Sequence, residues 1–176
     1  MVAMGIDAAS VKTGYSIFND LKLVDYGLIQ THSNYPERLL EQSQALGQIL
    51  DKYKPDIVYV EDVPNNPRGG IKTAIILGAV QGMVFGVVAS RNIDIKFILP
   101  SVWRSPMGLF DGTKTGKLRD ELKYKSVLKA NELFGLDLVY KSPNSKYNCD
   151  DISDAILLCY SQIKPRTFGG KLDKSN

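Results

Sequence analysis

Four carboxylates in this chain stand where apolar residues would be expected. Asp7 closes the opening run of "MGIDAAS", Glu61 closes "IVYVE", and Asp151 and Asp154 lie in "DDISDAILLCY". Each has an ordinary explanation when taken alone. An acid at a strand end often faces only a loop, and acids in a first helical turn are favoured by the helix dipole. Together, two strand-end acids and an acidic helix start form the parts of a carboxylate cluster. Positions 151 and 154 share a helical face; Asp150, four residues before Asp154, competes with Asp151 for the same direction. Two like charges about 4 Å apart repel by roughly 4 kcal/mol at an effective dielectric of 20. Such a cluster must therefore either take up protons or bind cations. Oxygen-only ligands select Mg²⁺ or Mn²⁺. Two such ions about 4 Å apart stabilise the attacking and leaving oxygens of an in-line phosphoryl displacement.

The elements that must position these acids follow from the hydrophobic pattern. Val2 to Ile6, "TGYSIF" and "LVDYGLIQT" read as three strands, with "NDLK" as a hairpin turn between the second and third. The chain thus opens as an antiparallel meander. "NYPERLLEQSQALGQILDKYKP" is predicted to be a helix, with Asn34 near its N-cap, Pro36 in its first turn and Pro55 stopping it. "DIVYVED" is a short buried strand, "PNNPRGG" a loop, and "IDIKFIL" a further strand. "PSVWRSPMGLFDGTKTG" reads as irregular. "KLRDELKYKSVLKANELFG" is a helix ended by Gly135, and a last helix runs from about Cys149 to Ile163. Strands alternating with helices predict an α/β fold, a mixed sheet covered by helices on both faces. Residues 1–164 are expected to form a single domain and residues 165–176 a flexible tail.

Between the loop and the last strand lies "TAIILGAVQGMVFGVVAS", 18 residues without a charge, with Gly78, Gly82 and Gly86 at every fourth position. A membrane helix can carry this pattern. With Gln81 in its middle and a strand following at once, the segment is predicted to be a buried helix whose glycine ridge admits a close neighbour.

Bulk properties exclude several classes. The 176 residues carry 22 basic and 19 acidic side chains, a net charge of +3, too mild to imply nucleic acid by itself. Two cysteines without a CxxC argue against a disulfide framework or a zinc site. The one histidine, His32, lies in a polar stretch with nothing near it in sequence to make a nucleophilic triad. "GTKTGKL" imitates a P-loop, but Asp111 stands where the first glycine belongs and Leu118 replaces Ser or Thr. No basic-plus-apolar leader opens the chain.

The ordered set "GIDAASVKTGYSIF", "IVYVED", "TAIILGAVQGMVFGVV" and "DDISDAILLCY" resembles the RuvC-type Holliday junction resolvases of the ribonuclease H-like superfamily, including divergent and viral members. The similarity runs from Val2 to about Ile163. It implies a ribonuclease H-like fold with Asp7, Glu61, Asp151 and Asp154 as the metal-binding quartet. It also implies two Mg²⁺ ions, replaceable by Mn²⁺, and a homodimer that nicks four-way DNA symmetrically, leaving 5′-phosphate and 3′-hydroxyl ends. The setting would be a prokaryotic cytoplasm or a virus's host cell, without a membrane. By the same resemblance Lys125, in "YKSVL", occupies the place of a basic residue near the scissile phosphate.

The residues that would hold DNA are less concentrated. From Lys114 to Lys129 six basic residues face two acids, a local net of +4. Beside a metal site that stretch suits phosphate positioning, with Lys114, Lys117, Lys123 and Lys125 as candidates. Six neutralised phosphates would give a slope of log K on log salt near about −5. In "VWRS", Arg104 is a candidate phosphate contact, and Trp103 either stacks on a base or anchors the core. The loop "PNNPRGG" lacks the aromatic residue that bacterial members often carry there, leaving Asn65, Asn66 and Arg68 as candidates; the segment from Asp111 to Tyr124 is also longer. Three other readings remain open at this level. They are a broader flap or fork nuclease, an actin- or sugar-kinase-type ATPase fragment, and a DNA-binding scaffold without catalysis.

Overall fold

The structure is a computed structural model, described over residues 1–63, 70–110, 118–143 and 145–165. Three antiparallel strands open it: β1 (Val2–Asp7), β2 (Lys12–Asn19) and β3 (Lys22–Gln30). After α1 (Glu37–Tyr53) comes β4 (Ile57–Glu61), then α2 (Gly70–Ala89) and β5 (Asp94–Ile98). A short α3 (Pro100–Arg104), α4 (Arg119–Phe134) and α5 (Asp150–Ile163) complete the described chain. The sheet order is β3-β2-β1-β4-β5, with β4 and β5 parallel to β1.

Alternation along the strands divides the core in two. Ala3, Phe18, Ile57 and Tyr59 pack with Trp103, Ile156, Leu157 and Leu158 on one face. Met4, Ile6, Ile17, Val58 and Val60 pack with Leu46 and Leu50 of α1 and Val84 and Val88 of α2 on the other. Each fully buried Ile or Leu contributes about 1.5–3 kcal/mol relative to exposure.

α5 lies against β1 and β2 because two glycines let it. A β-carbon on Gly5 would stand 2.2 Å from the Ala155 carbonyl oxygen, and one on Gly14 would stand 1.9 Å from that of Asp151. Ser16 Oγ donates to the Ala155 carbonyl at 2.9 Å and fixes the register of helix on strand.

Three local expectations change. "PSVWR" is helical, with Pro100 at its first turn. α1 has Pro36 itself at the cap, with Asn34 supplying a backbone carbonyl to the Arg38 amide at 3.0 Å. α2 is not a buried helix within one chain: only Val80, Val84 and Val88 are buried, while Ile71, Ile75 and Phe85 are exposed. A β-carbon on Gly78, Gly82 or Gly86 would meet nothing within 4 Å. The helix is long and apolar enough to cross a bilayer, yet its valine stripe belongs to the domain core. The glycine ridge faces outward, and no described residue of this chain packs on it. The expected C-terminal tail lies outside the described residues.

Candidate metal and nucleic-acid site

Asp7 and Glu61 end neighbouring parallel strands, one step beyond the paired Ile6 and Val60. Asp7 shares the strand face of Ala3 and Gly5, and Glu61 that of Ile57 and Tyr59, so both project toward α5. The following residue, Asp62, turns the other way and accepts from Gln81 Nε2 at 3.2 Å. α5 brings Asp151 and Asp154 to the same edge in its first turns.

Second contacts hold the acids in place. Trp103 is fully buried, and its Nε1 donates to Glu61 Oε2 at 2.8 Å. It is a core anchor that orients an acid, not a surface for stacking bases. Arg104 turns inward as well. Its Nη2 lies 3.1 Å from Asp154 Oδ2 and 3.4 Å from Glu61 Oε2, and its guanidinium stacks 4.8 Å from the Trp103 ring centroid. Ser126 of α4 donates to Asp154 Oδ1. Ser153 Oγ lies 3.0 Å from Ser126 Oγ and 3.0 Å from the Asp150 carbonyl oxygen. Sequence patterns did not point to Ser126 as a supporting residue. Its only signal is a hydroxyl on the buried face of α4, beside Val127 and Ala130.

The two aspartates at the start of α5 separate in role. Asp150 is buried and ion-paired with Lys123. Asp151 is more open, and its charge acts on Asp7. Lys125 pairs with Glu121 one turn earlier on α4, at 3.6 Å. Arg68, Lys114 and Lys117, with Asn65 and Asn66, lie outside the described residues. The His32 amide donates to Glu41 near the start of α1, remote in role from the acids.

The electrostatics record a deficit of positive charge. Burial, then the charges of Glu61, Asp154 and Asp151, push the Asp7 carboxyl well above its ordinary range, with Arg104 opposing. Burial raises Glu61 to about 7 against the pull of Arg104 and the Trp103 hydrogen bond. Burial and Asp150 raise Asp151 to about 6, with Lys123 opposing. Asp154 is raised by burial, against Arg104 and Ser126. Among the described residues, no three acid, histidine or cysteine side chains stand in ligating position around one point; the Arg104 guanidinium occupies the space between Glu61 and Asp154. The donor set itself fits a hard divalent cation: carboxylate oxygens only, on rigid strand ends and a helix start, under-neutralised by the cations at hand.

A three-strand meander continued by parallel strands, helices on both faces and acids at the ends of β1 and β4 and the start of α5 define a ribonuclease H-like domain with a carboxylate-centred site. The family model for crossover junction endodeoxyribonuclease RuvC matches residues 3–108. A RuvC from Dictyoglomus thermophilum is 31% identical over 172 residues, covering 93% of this chain and 96% of that protein. One from Caldicellulosiruptor saccharolyticus is 29% identical, covering 93% and 92%. The chain belongs to the RuvC family of crossover junction endodeoxyribonucleases.

Solved structures agree on the fold. Thermus thermophilus RuvC in complex with a Holliday junction substrate superposes with a TM-score of 0.67 at 17% identity, over 92% of this chain and 91% of that one. The fowlpox virus resolvase, also with junction DNA, gives 0.56 at 18% identity over 93% and 97%.

Proposed function

We propose that this protein is a divalent-metal-dependent endonuclease that resolves four-way DNA junctions by symmetric nicking and leaves 5′-phosphate and 3′-hydroxyl ends. It acts as a homodimer on branched DNA in the cytoplasm, and residues 1–164 work as one nuclease domain. The observation that carries this reading is the gathering of Asp7, Glu61, Asp151 and Asp154 at one edge of the sheet, where their mutual repulsion favours bound cations over bare carboxylates. Family membership supports it over the ATPase and inert-scaffold alternatives.

In this reading Asp7, Glu61, Asp151 and Asp154 hold the metal, Mg²⁺ in the cell and two ions per site, with Mn²⁺ able to substitute. The bound ions supply neutralisation of the phosphate, activation of the attacking water and stabilisation of the leaving 3′-oxygen. The chain supplies position. Trp103 orients Glu61, and Ser126 orients Asp154. Arg104 balances both acids before the metal enters. Lys125 stabilises charge on the scissile phosphate, while Lys123, Lys114, Lys117 and Arg68 contribute to phosphate contacts.

The outward ridge of α2 serves as the dimer surface. Gly78, Gly82 and Gly86 admit a close neighbour, and the exposed Ile71, Ile75 and Phe85 add apolar surface beside them that association would bury. A two-fold dimer delivers two sites in matching geometry to a nearly two-fold junction.

The test is cleavage of a synthetic mobile four-way junction with Mg²⁺, compared with Ca²⁺ and EDTA, and with flap and fork substrates alongside. Paired nicks that ligate directly are expected with Mg²⁺ only. Asp7→Asn is expected to keep junction binding and abolish cleavage; loss of binding and folding together would count against a metal-ligand role.

A further inference from the structure

Beside the acid cluster lies a second feature that the chemistry of the nick does not use. A cavity of about 230 Å³ opens between the start of β2, the first turns of α4 and the loop that leads into α5. Four cations line it: Lys12, Arg119, Lys123 and Lys146. Asp151 forms part of its wall, so the cavity adjoins the cluster.

Three carboxylates share the lining with these cations, Asp120, Asp150 and Asp151, and the cations outnumber them by one. Asp150 is paired with Lys123, and Asp120 accepts from the Tyr140 hydroxyl at 3.4 Å. Among the described residues, Lys12, Arg119 and Lys146 make no salt bridge. Lys12 Nζ donates to the Lys146 carbonyl at 3.2 Å, which ties β2 to the loop. Lys146 Nζ rests 5.1 Å from the Tyr147 ring centroid. Among the described residues, the Arg119 guanidinium makes no ion pair. Uncommitted cations from three separate elements, facing one hollow with room for a hydrated phosphodiester, make an anion site. The field of Lys12 already reaches Asp151 through the shared wall.

We propose that this cavity is a subsite for a non-scissile phosphate of the cleaved strand, held by Lys12, Arg119 and Lys146. The proposal rests on the nuclease reading above and extends it. Asp151 belongs both to the acid cluster and to the cavity wall, so a strand that runs from the acids over Asp151 meets these cations. Because phosphodiesters repeat at a fixed spacing along a strand, a second anchored phosphate fixes the register of the first. The subsite is therefore a positioning device.

The experiment uses the full chain and four-way junctions that carry one neutral methylphosphonate at each successive position around the nick. Binding is measured in Ca²⁺, nicking in Mg²⁺. For the wild type, one non-scissile position is expected to weaken binding by about tenfold. The double variant Lys12→Gln, Lys146→Gln should bind the unmodified junction about as weakly. It should be insensitive to methylphosphonate at that position and normally sensitive elsewhere. Its slope of log K on log salt should fall by about 0.9 per protomer, roughly 2 per dimer, and Lys12→Arg should restore most of the loss. Arg119→Gln, which breaks no salt bridge among the described residues, provides the same test should the double variant melt early. An unchanged methylphosphonate profile, or uniform weakening at every position, overturns the subsite. A wild type that neither binds nor nicks the unmodified junction overturns the nuclease reading itself, and the two failures are thereby distinguished.

Discussion

Arg104 is the natural place to perturb the site, because among the described residues it is the cation that bridges Glu61 and Asp154. Arg104→Met keeps much of the aliphatic stem and removes the charge. Glu61, with its carboxyl raised to about 7 by burial, is held ionised above that pH partly by the Arg104 charge. Without the guanidinium its carboxyl moves higher still, and the native state loses free energy of ionisation on the order of 1 kcal/mol at pH 8 and almost none at pH 6. Asp154 adds a loss of the same sign. For a chain of this size the difference lowers the melting temperature by about 3–5 °C at pH 8. Lost stacking on Trp103 and relieved burial of the guanidinium shift both pH values equally, so the slope isolates the charge. The assay is thermal unfolding of wild type and variant in EDTA from pH 6 to 8, repeated in excess Mn²⁺. The deficit is expected to grow with pH in EDTA and to shrink when the ion takes over the neutralising role. Parallel curves across this range would refute the assignment of Arg104 as a charge-balancing residue.

Three further outcomes follow from the same geometry. In the metal-free wild type, native Glu61 and Asp151 hold protons up to about 7 and about 6, whereas unfolded carboxylates release theirs near about 4. The native state therefore binds more protons in that window, and stability falls as pH rises through it. Melting several degrees lower at pH 7.5 than at pH 5.5, with Mg²⁺ narrowing the gap, is expected; a flat or rising profile would contradict the burial of these acids. Ser126→Ala removes a hydroxyl donor from a buried carboxylate and should cost about 1.5–3 kcal/mol in urea unfolding, together with a slower Mg²⁺-dependent nick. Unaltered stability would mean that Asp154 is held by other groups. Gly82→Leu meets open space within one chain, so the protomer should melt no lower than the wild type, since a helix-interior glycine costs roughly 0.5–1 kcal/mol. Light scattering should nevertheless report a monomer, and a retained dimer would move the interface off α2.

Much of this protein was already determined by local pattern. Alternating apolar residues specify β1, β2 and β4, and the acids that end β1 and β4 are conspicuous because charge in a buried strand is costly. Spacing alone places Asp151 and Asp154 on one face of α5. The family motifs are equally local, since each lies within a single element.

What the sequence left open depends on contacts between elements far apart in the chain. Asp150 and Asp151 are equivalent as letters. Only the packing of α4 on α5, which sets Lys123 against Asp150, separates a structural acid from the one that faces Asp7. Arg104 read as a candidate phosphate contact, and Trp103 as either a base-stacking residue or a core anchor, until α3 folds them inward onto Glu61 and Asp154. The glycine ridge of α2 suggested a close neighbour, but periodicity cannot say whether that neighbour is the chain's own sheet or a second copy. The tertiary structure narrows it, because the sheet takes only the valine stripe and, among the described residues, nothing covers the ridge. In each case one-dimensional pattern records what a residue prefers as surroundings, whereas its partner is chosen by which surfaces the fold brings together.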